Sequence, residues 1–578
     1  MEHEPATTDL TKGLPGPRPP VSPAGAEPPV RWNTPTRHLC AGAWVDEPFA
    51  RAVVRELEQE RHRAWAPSYG VDRRLLLHHA RRALEAVHRR DMVVSAAWLA
   101  AALVVPAAAV TRVVISKFSA GVRGGVRRLP GMHSLRREKD GSLRVDTPMS
   151  GLAASGLSTA VSTTLCAYAQ TALSPWGPST FLPALLCTAV LLAGVPWWAA
   201  WRQQQEVWRT ASRELVPGAP APAPPPDTGA VPAGEGNLVI HSGYRPFTGS
   251  GTELTSWSLD LRLRPAPGAA PATPLTTDAL VDALRDGLGA LGRVSGGVTG
   301  LSVEERVYVD GSELDGPEPF SRTLFWPAGD HARLTARPAD RVPDETVRQA
   351  RGLVDGPVRH CLCVQVSGWD ADIVLTVHIQ AAVVLGTLHL NSTASVLTPV
   401  RDAYQEVDRL TERHHGEHTA RVAAAALSAM HDSLGGPIAR PLRHLLSGMA
   451  QERREEHLQD VIAHDRRFDF GARTGLRERA GSDTYTNYFQ RVDVQRAARR
   501  IELRLLADLG KLLEDHGLDT SELEERRNVI LNNGVIMTGG AMHGAIAAGP
   551  GAQAVAGLGG QTVTGPRARP DATPAGSS

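Results

Sequence analysis

Two long runs without charged residues are the most prominent pattern along this chain, and they predict its first helices. Residues 92–111 contain no charged side chain, and a second uncharged run, residues 147–201, is broken in its middle by the sequence Ser-Pro-Trp-Gly-Pro. About 20 helical residues cover a hydrocarbon core of about 30 Å, so runs of this length are typical of membrane helices rather than of buried helices in a soluble core. We predict a helical membrane anchor of two to three spans. The membrane region is 92–201, with spans near 92–111, 151–173 and 179–201 and a basic loop at 112–148.

The ends of these runs indicate how they would sit in a bilayer. Pro106 predicts a kink in the first run, and tryptophans at positions 197, 198 and 201 suit the headgroup boundary. Basic residues flank the first run on both sides, which conflicts with a simple crossing there. We therefore expect this segment to be re-entrant or interfacial. The soluble domain of this multi-pass cell-membrane protein is expected in the cytoplasm.

A period-two pattern marks a soluble domain after the membrane region. Trp257, Leu259, Leu261 and Leu263 alternate with polar residues, as in a strand with one buried face. Helical spacing predicts a helix over residues 277–291. Further strands are predicted at 238–241, 303–309, 361–366, 373–379 and 383–390. The fold class that follows is a soluble α+β domain at 237–400, joined to the membrane region by a Pro-rich linker at 202–236.

Helix formers dominate the region 401–527. Ile501, Leu505, Leu509 and Leu512 form one apolar stripe, which predicts a long helix that ends near Gly517. An Asp-Thr-Ser sequence followed by a Glu then predicts the capped start of a short helix. A coiled-coil seam is the alternative to ordinary helix packing, but too few heptads support it.

The two ends of the chain differ from the folded regions. Residues 1–30 are Pro-rich and predicted to be disordered, whereas residues 31–91 form a helical N-terminal region. The Gly/Ala-rich tail, residues 528–578, has no charged residue between 528 and 566, and short apolar pieces alternate there with Asn-Gly and Gly-Gly. It resembles bacterial prion-type signalling tails in composition. A flexible tail, a small β-arch and self-association through stacked β-strands all remain open.

Charge and cysteine content exclude several classes of protein. The chain has 62 Lys and Arg against 61 Asp and Glu, so no excess of positive charge favours nucleic acid as a partner. Its 5 cysteines are too few and too scattered for a disulfide framework and fit a reducing compartment. The first 20 residues lack the apolar core of a secretory signal, which predicts a cytosolic N-terminus.

Two groups of side chains could hold a metal ion. His360, Cys361 and Cys363 lie within four residues, but the two cysteines point to one side of a predicted strand and more simply fill the core. His414 and His418 lie one helical turn apart, where a solvated helix face is the simpler explanation. The sequence leaves open whether either group binds metal, and we assign no metal ligand and no cofactor.

Other patterns give weak support for catalysis. Gly287, Gly289 and Gly292 match G-x-G-x-x-G, but they follow a helical segment instead of a strand, which favours chance or a helix C-cap. Asp370 and Asp372 fall in a predicted turn, where an Asp usually accepts local hydrogen bonds. We assign no catalytic residue and lean against an enzyme. A membrane-tethered enzyme with an unrecognised site near His360, Asp370, Asp372 and His378 remains possible.

Three stretches carry a resemblance to known sequences. They are RWNTPTRHLCAGAWVDEPF from Arg31, GYRPFTGSG from Gly243 with the later Trp257, and residues 361–400. Together they resemble an uncharacterised actinobacterial, Streptomyces-like, family of integral membrane proteins. The resemblance implies a shared layout of N-terminal helices, membrane spans and a C-terminal soluble domain, and transfers no functional residue.

The organisation of the chain leads to one main functional hypothesis. We predict a membrane-anchored binding or scaffolding protein whose partners are the lipid bilayer and other proteins, with a tail that recruits them or assembles with itself. A transport or channel component is the alternative, but the uncharged runs contain no ionisable group apart from Arg112 at an edge.

Overall fold

The description of this protein rests on a computed structural model. It describes residues 34–112, 114, 149–173, 181–220, 231, 235–267, 274–293, 297–314, 320–409, 453–465, 467–533, 554–555 and 562–563. The predicted disordered N-terminus, nearly all of the basic loop, part of the Pro-rich linker, His414, His418 and most of the tail lie outside these residues.

Helices and strands alternate unevenly along the chain. The helices are α1 Thr34–Val45, α2 Glu47–Val54, α3 Arg73–Val104, α4 Met149–Ala172, α5 Phe181–Ala189, α6 Val195–Glu214, α7 Thr277–Leu291, α8 Arg322–Phe325, α9 Asp344–Ala350, α10 Asp402–Gln405, α11 Leu476–Ala480, α12 Tyr488–Asp515 and α13 Ser521–Asn533. Single π-helical turns, Arg55–Gln59 and Val190–Gly194, follow α2 and α5, and 3-10 turns occur at Asp330–Leu334 and Glu406–Arg409. Residues 106–112 and 453–464 are also helical.

The strands form one mixed, six-stranded sheet. They are β1 Leu238–His241, β2 Thr252–Arg262, β3 Leu301–Asp310, β4 Val358–Gly368, β5 Ile373–Val384 and β6 Thr387–Leu397. Their order is β1-β3-β4-β5-β6-β2, with β1 parallel to β3 and every other neighbouring pair antiparallel. The soluble part is therefore α+β, as the sequence predicts.

Each face of the sheet has a different cover. On one face, Leu362 and Val364 of β4 pack with α7 and α12, whose apolar stripe includes the buried Ile501 and Leu505. Burying a leucine of this kind stabilises the fold by about 2 kcal/mol. On the opposite face, Cys361 and Cys363 pack with Tyr308 and Phe247. The core is thus split between an aliphatic helical layer and a smaller aromatic layer.

The N-terminal loop before α3 closes on this second face. Gly249 has φ +85° and approaches the loop so closely that a Cβ would lie 2.2 Å from the Pro67 carbonyl oxygen. Only glycine fits both the dihedral and the contact. Tyr69 of the same loop is buried beside Val374 and Leu397. The Gly-Tyr-Arg-Pro-Phe-Thr-Gly-Ser-Gly stretch singled out in the sequence is therefore where the N-terminal region packs onto the sheet.

The predicted strand over residues 383–390 is wrong in one respect. The structure ends β5 at Val384 and starts β6 at Thr387, and these two residues pair across a two-residue turn. Leu385 has φ +50° and Gly386 has φ +74°. Positive φ at both central positions makes a tight hairpin turn, normally formed by Asn-Gly. Leucine does not indicate a turn, so the apolar run was predicted as one continuous strand across the hairpin.

Other sequence predictions of helices agree with the structure. The helix predicted over residues 277–291 is α7, and Gly292 is its C-cap. The long helix α12 ends at Asp515, with Gly517 at φ +68° just beyond it, and α13 follows at Ser521. Of the glycines in the G-x-G-x-x-G match, Gly287 and Gly289 lie within α7, and a Cβ on Gly287 would collide with the Asp508 carboxylate of α12. Gly287 therefore allows the two helices to approach, whereas Gly289 has open space beside it.

The first predicted membrane segment is the end of a longer helix. α3 runs for 32 residues from the charged N-terminal region to Val104, and Val105 leaves the helical conformation just before Pro106. Residues 106–112 are helical again. Gln170 of α4 accepts hydrogen bonds from the amides of Ala107 at 2.9 Å and Ala108 at 3.2 Å. A side chain thus satisfies backbone donors that the break at Pro106 leaves free.

One described helix is long and apolar enough to cross a membrane. It comprises α5, the π-turn and α6, from Phe181 to Glu214, and only 22% of its apolar window is buried within the protein. This helix contains the predicted span at 179–201. The other two predicted spans do not meet the same standard of length and hydropathy among the described residues, so two to three spans are not supported.

Two short strands are described within the tail. β7 Ala554–Val555 pairs antiparallel with β8 Thr562–Val563. At its start, residues 528–533 continue helix α13, so the predicted tail begins six residues too early. The rest of the predicted assembly segment lies outside the described residues.

Candidate functional site

The apolar helices are joined to the soluble domain by a charged stalk, which we define as residues 73–91 of α3 paired with residues 202–214 of α6. Arg82 holds Glu214 through two hydrogen bonds of 2.8 and 3.2 Å, and Arg89 holds Glu206 at 2.7 Å. Arg90, which is 8% exposed, donates to Gln203 at 2.9 Å. The basic flank of the first apolar run therefore faces acidic and amide groups of α6.

The end of the stalk that is far from the apolar helices contacts α1 and the chain segments just before β1 and after β6. Arg37 of α1 donates to the Leu215 carbonyl at 3.2 Å and also pairs with Asp408. Asp408 accepts from His38 at 2.8 Å. Arg73 pairs with Glu235 at 2.9 Å. The stalk is therefore fixed to the domain by buried and half-buried ion pairs as well as by the chain itself.

His360, Cys361 and Cys363, one of the two groups that the sequence offered as metal ligands, do not converge. Cys361 and Cys363 are fully buried on one face of the sheet, whereas His360 lies on the other face and meets Glu305 at 3.0 Å. Burial raises the pKa of both thiols. The described residues include no group of three or more His, Cys, Asp or Glu side chains placed to hold a metal ion.

Asp370 and Asp372 lie in the β4–β5 turn, as predicted, but their partners are distant in sequence. Asp370 accepts from Thr34, and Asp372 accepts from Gln490 at 3.1 Å. The turn holds three consecutive residues at positive φ, from Trp369 to Ala371. Both carboxylates therefore hold this strained turn against neighbouring elements, and Asp372 keeps one buried oxygen, Oδ1, without a hydrogen-bond partner among the described residues.

His378 forms a buried contact that sequence analysis missed. Its Nε2 lies 3.3 Å from Ser250 Oγ, and its ring stacks on Phe247 with centroids 4.0 Å apart. Burial, followed by the nearby Arg306 charge, lowers the pKa of His378 to about 3, so the ring is neutral. The Ser250 and His378 residues are each 1% exposed. A neutral, enclosed Ser-His contact with no route for substrate is part of the core.

An open cleft of about 280 Å³ brings five arginine side chains together on the described surface. We define the arginine cleft by Arg55, Arg63, Arg337, Arg473 and Arg479, which line it together with Glu56, Glu60, Thr474 and three alanines. The residues come from three separate segments: the end of α2 with the π-turn and loop that follow, the loop before α9, and the segment that leads into and includes α11.

Arg337 and Arg63 form the floor of the arginine cleft. Arg337 donates to the carbonyls of Glu56 at 2.8 Å and Arg63 at 2.6 Å, and its guanidinium lies 4.6 Å from the Trp65 ring centroid. Arg63 donates to the Gly471 carbonyl at 2.9 Å. Burial lowers the pKa of Arg337 to about 10, and burial followed by Arg473 lowers that of Arg63. Each therefore retains positive charge at an energetic cost.

Arg55, Arg473 and Arg479 form the exposed rim of the cleft. Among the described residues, no carboxylate lies within ion-pairing distance of these three guanidinium groups, unlike the arginines of the stalk. Arg55 belongs to the π-turn after α2, which the Glu60 amide closes on the Arg55 carbonyl at 2.7 Å. The rim therefore presents three uncommitted cations to one opening.

Glu56 adds an acid that does not neutralise them. Burial raises its pKa to about 8, against the opposing influence of Arg479, Arg73 and Arg337. Its carboxyl is mostly protonated at neutral pH and is then a hydrogen-bond donor. The cleft thus carries more positive charge than its formal composition of five arginines and two glutamates indicates.

Sequence reasoning missed this cleft for a simple reason. Its arginines are scattered over more than 400 positions, in a chain where Lys and Arg balance Asp and Glu. The only local signal is the Arg-x-x-x-x-x-Arg sequence from Arg473 to Arg479, which is unremarkable in an arginine-rich protein.

Comparison with known proteins gives one result. No curated protein and no solved structure shows significant similarity to the chain. A domain family does match, over strands β2 to β6 and helices α7 to α13, and this match does not include the apolar helices. Residues 256–543 are similar to the AbeC-like domain family.

Proposed function

We propose that this protein is a membrane-anchored binding or scaffolding protein. The anchor is the helix from Phe181 to Glu214, and the soluble α+β domain is the part that meets partners. One observation carries the proposal: the same helix passes from an apolar, outward-facing half to a charged half that is salt-bridged to α3 in the stalk.

The boundary between the two halves has the chemistry of a membrane interface. Trp197 and Trp201 stack with centroids 6.1 Å apart, and the Arg202 guanidinium lies 5.1 Å from the Trp198 ring centroid. Indole rings and an arginine at one level suit the headgroup region, with an apolar helix on one side and a polar one on the other. Leu182 and Leu186, 73% and 66% exposed, would then face lipid.

The stalk supports a topology with both soluble parts on one side. Arg82 and Glu214 can pair only if the start of α3 and the end of α6 share a compartment. The chain between them then crosses the bilayer an even number of times. We propose that the kinked end of α3, its continuation at 106–112 and α4 accompany the Phe181–Glu214 helix, and that the domain is cytoplasmic.

Membrane attachment is tested with a double substitution in the exposed part of the anchor. Leu182→Arg with Leu186→Arg places two charges in the apolar half, at about 3 kcal/mol each in a bilayer centre. The wild-type chain should resist alkaline carbonate extraction, and the variant should be released or degraded. Leu503→Arg, a partly exposed leucine on α12, is the matched control and should remain bound. Wild-type protein recovered in the soluble fraction would refute the anchor.

The tail is proposed to recruit partners or further copies of the chain. Deleting residues 534–578 leaves α13 whole. We expect self-association in cells, measured by crosslinking of two differently tagged copies, to be lost in this variant. Unchanged self-association and unchanged co-purified partners would remove the tail from the proposal. A reporter fused after Ser578 tests sidedness: fluorescence from a reporter that folds only in the cytosol is expected, and alkaline phosphatase activity would contradict it.

A further inference from the structure

A second cleft lined by arginines provides a contrast with the arginine cleft. This second cleft, of about 540 Å³, is lined by Arg285, Arg348 and Arg351 among others. There, Arg351 holds Glu305 at 2.7 Å, Asp278 at 3.0 Å and Asp282 at 3.1 Å, and Arg285 also holds Glu305. Arg348 pairs with Glu345. The fourth arginine, Arg341, donates to the Glu235 backbone carbonyl. Because four carboxylates line this larger cleft beside its four arginines, it has little net positive charge to offer an anion.

The arginine cleft differs in that its exposed arginines are not paired with carboxylates of the described residues. Arg55, Arg473 and Arg479 converge on one opening without a carboxylate partner among the described residues, while Arg63 and Arg337 lie beneath them. We propose that the arginine cleft is a binding site for a phosphate-bearing ligand. A planar guanidinium matches two oxygens of a phosphate at once, and several guanidiniums on one anion give both affinity and orientation.

Arg337 in the floor of the cleft fixes the backbone that carries one rim arginine, Arg55. Arg337 donates to backbone carbonyls of the π-turn, so its own hydrogen bonds fix the turn that carries Arg55 and Glu56. π-turns are frequent at functional sites because they place side chains off the regular helical spacing. The ligand would meet guanidinium donors positioned before it arrives, which lowers the entropic cost of binding.

The electrostatics favour an anion over a neutral ligand. Arg63 and Arg473 repel one another, and burial disfavours the charge on Arg337. A bound phosphate would relieve both effects. The protonated Glu56 carboxyl can donate to a phosphate oxygen instead of repelling it. The cleft volume is near the lower end of the range of about 300–1,000 Å³ for small-molecule sites, which suits a phosphate or diphosphate group.

The test uses the full chain in nanodiscs of neutral lipid, titrated with inorganic pyrophosphate in a calorimeter. Wild-type protein should bind saturably. Arg473→Gln and Arg479→Gln should each weaken binding by about tenfold or more, since a hydrogen-bonded charge contributes about 1.5–3 kcal/mol. Arg496→Gln removes the same charge from a 71% exposed position on α12 and should leave the affinity unchanged. Thermal unfolding of each variant checks that the fold is intact.

Phosphate groups occur both in soluble ligands and in lipid headgroups, and a second arm separates these sources. Displacement of pyrophosphate when phosphatidic acid is added to the nanodisc would identify a lipid headgroup, and no displacement would identify a soluble ligand. The absence of saturable binding to the wild type, or equal affinities of Arg473→Gln and Arg496→Gln, would overturn the site. Neither result affects carbonate extraction, so the membrane anchor is judged separately.

Discussion

Arg477 donates a hydrogen bond to the Tyr69 carbonyl at 2.8 Å, across 408 positions of sequence. The same guanidinium also donates to the carbonyls of Ala371 and, at 3.0 Å, Asp372 in the β4–β5 turn. It is 1% exposed, and burial lowers its pKa to about 10. One side chain therefore joins the N-terminal loop, the strained turn and the segment that leads to the last helices.

Removing this arginine should destabilise the whole soluble domain. Arg477→Met fills the space but leaves three carbonyls without their donor, one of them buried and two partly buried. We expect a loss of about 3 kcal/mol or more in the free energy of unfolding. Urea unfolding followed by circular dichroism measures it. Arg473→Gln removes an exposed arginine four residues earlier, before α11 begins, and should change stability by less than about 0.5 kcal/mol. Equal effects of the two variants would contradict the role given to Arg477.

The hairpin between β5 and β6 should gain stability from a better turn residue. Leu385 is fully exposed and has φ +50°, a conformation that costs a leucine about 1–2 kcal/mol. Leu385→Asn should raise the melting temperature by about 2 °C, because asparagine tolerates this conformation. Leu385→Ala keeps the Cβ penalty and should give no gain. A melting temperature that rises equally in both variants would point to lost surface hydrophobicity as the cause.

Glu56 should make stability depend on pH. Its pKa is raised from 4.5 to about 8 in the folded protein, first by burial and then by Glu60, with Arg479, Arg73 and Arg337 opposing. Below about pH 4.5 the group is protonated in both states. As pH rises towards 8 only the unfolded state loses the proton, so folding stability falls by up to about 1.4 kcal/mol per pH unit.

Glu56→Gln should remove this loss. Its melting temperature is expected to exceed that of the wild type at pH 8 and to match it at pH 4.5. Glu253→Gln on β2, an exposed carboxyl, is the control and should follow the wild type at both values. A wild-type advantage at pH 8 would mean that the Glu56 carboxylate is stabilised by its arginines.

The same group should tune ligand binding in the arginine cleft. Ionisation of Glu56 above about pH 8 adds a negative charge beside the rim. Pyrophosphate affinity of the wild type should therefore fall relative to that of Glu56→Gln as pH rises through this range. The ratio of the two affinities cancels the titration of pyrophosphate itself. A ratio that stays constant from pH 6 to pH 9 would exclude Glu56 from the site.

Local pattern was enough to place several elements of this protein. The helix at Thr277–Leu291 and the strand at Leu238–His241 were predicted with the bounds that the structure shows, and the apolar run from Phe181 was identified as a membrane helix candidate. These features depend on hydrophobic periodicity and length, which are properties of neighbouring residues. The turn at Leu385 was not predicted, because strand pairing imposes its strained conformation and a leucine at this position does not indicate a turn.

The functional surface was decided only by the tertiary structure. Arg55, Arg337 and Arg473 look like ordinary surface cations in the sequence, as do the arginines of the stalk. Folding gives the stalk arginines carboxylate partners and leaves the rim arginines of the arginine cleft without one among the described residues, although Arg63 in its floor lies 3.5 Å from Asp469. The difference lies in which charges meet and how far they are buried, and both depend on contacts between residues hundreds of positions apart. Sequence alone identified the apolar helix from Phe181 and the positions of the strands, whereas the fold determined how the strands pair and where positive charge remains available to a ligand.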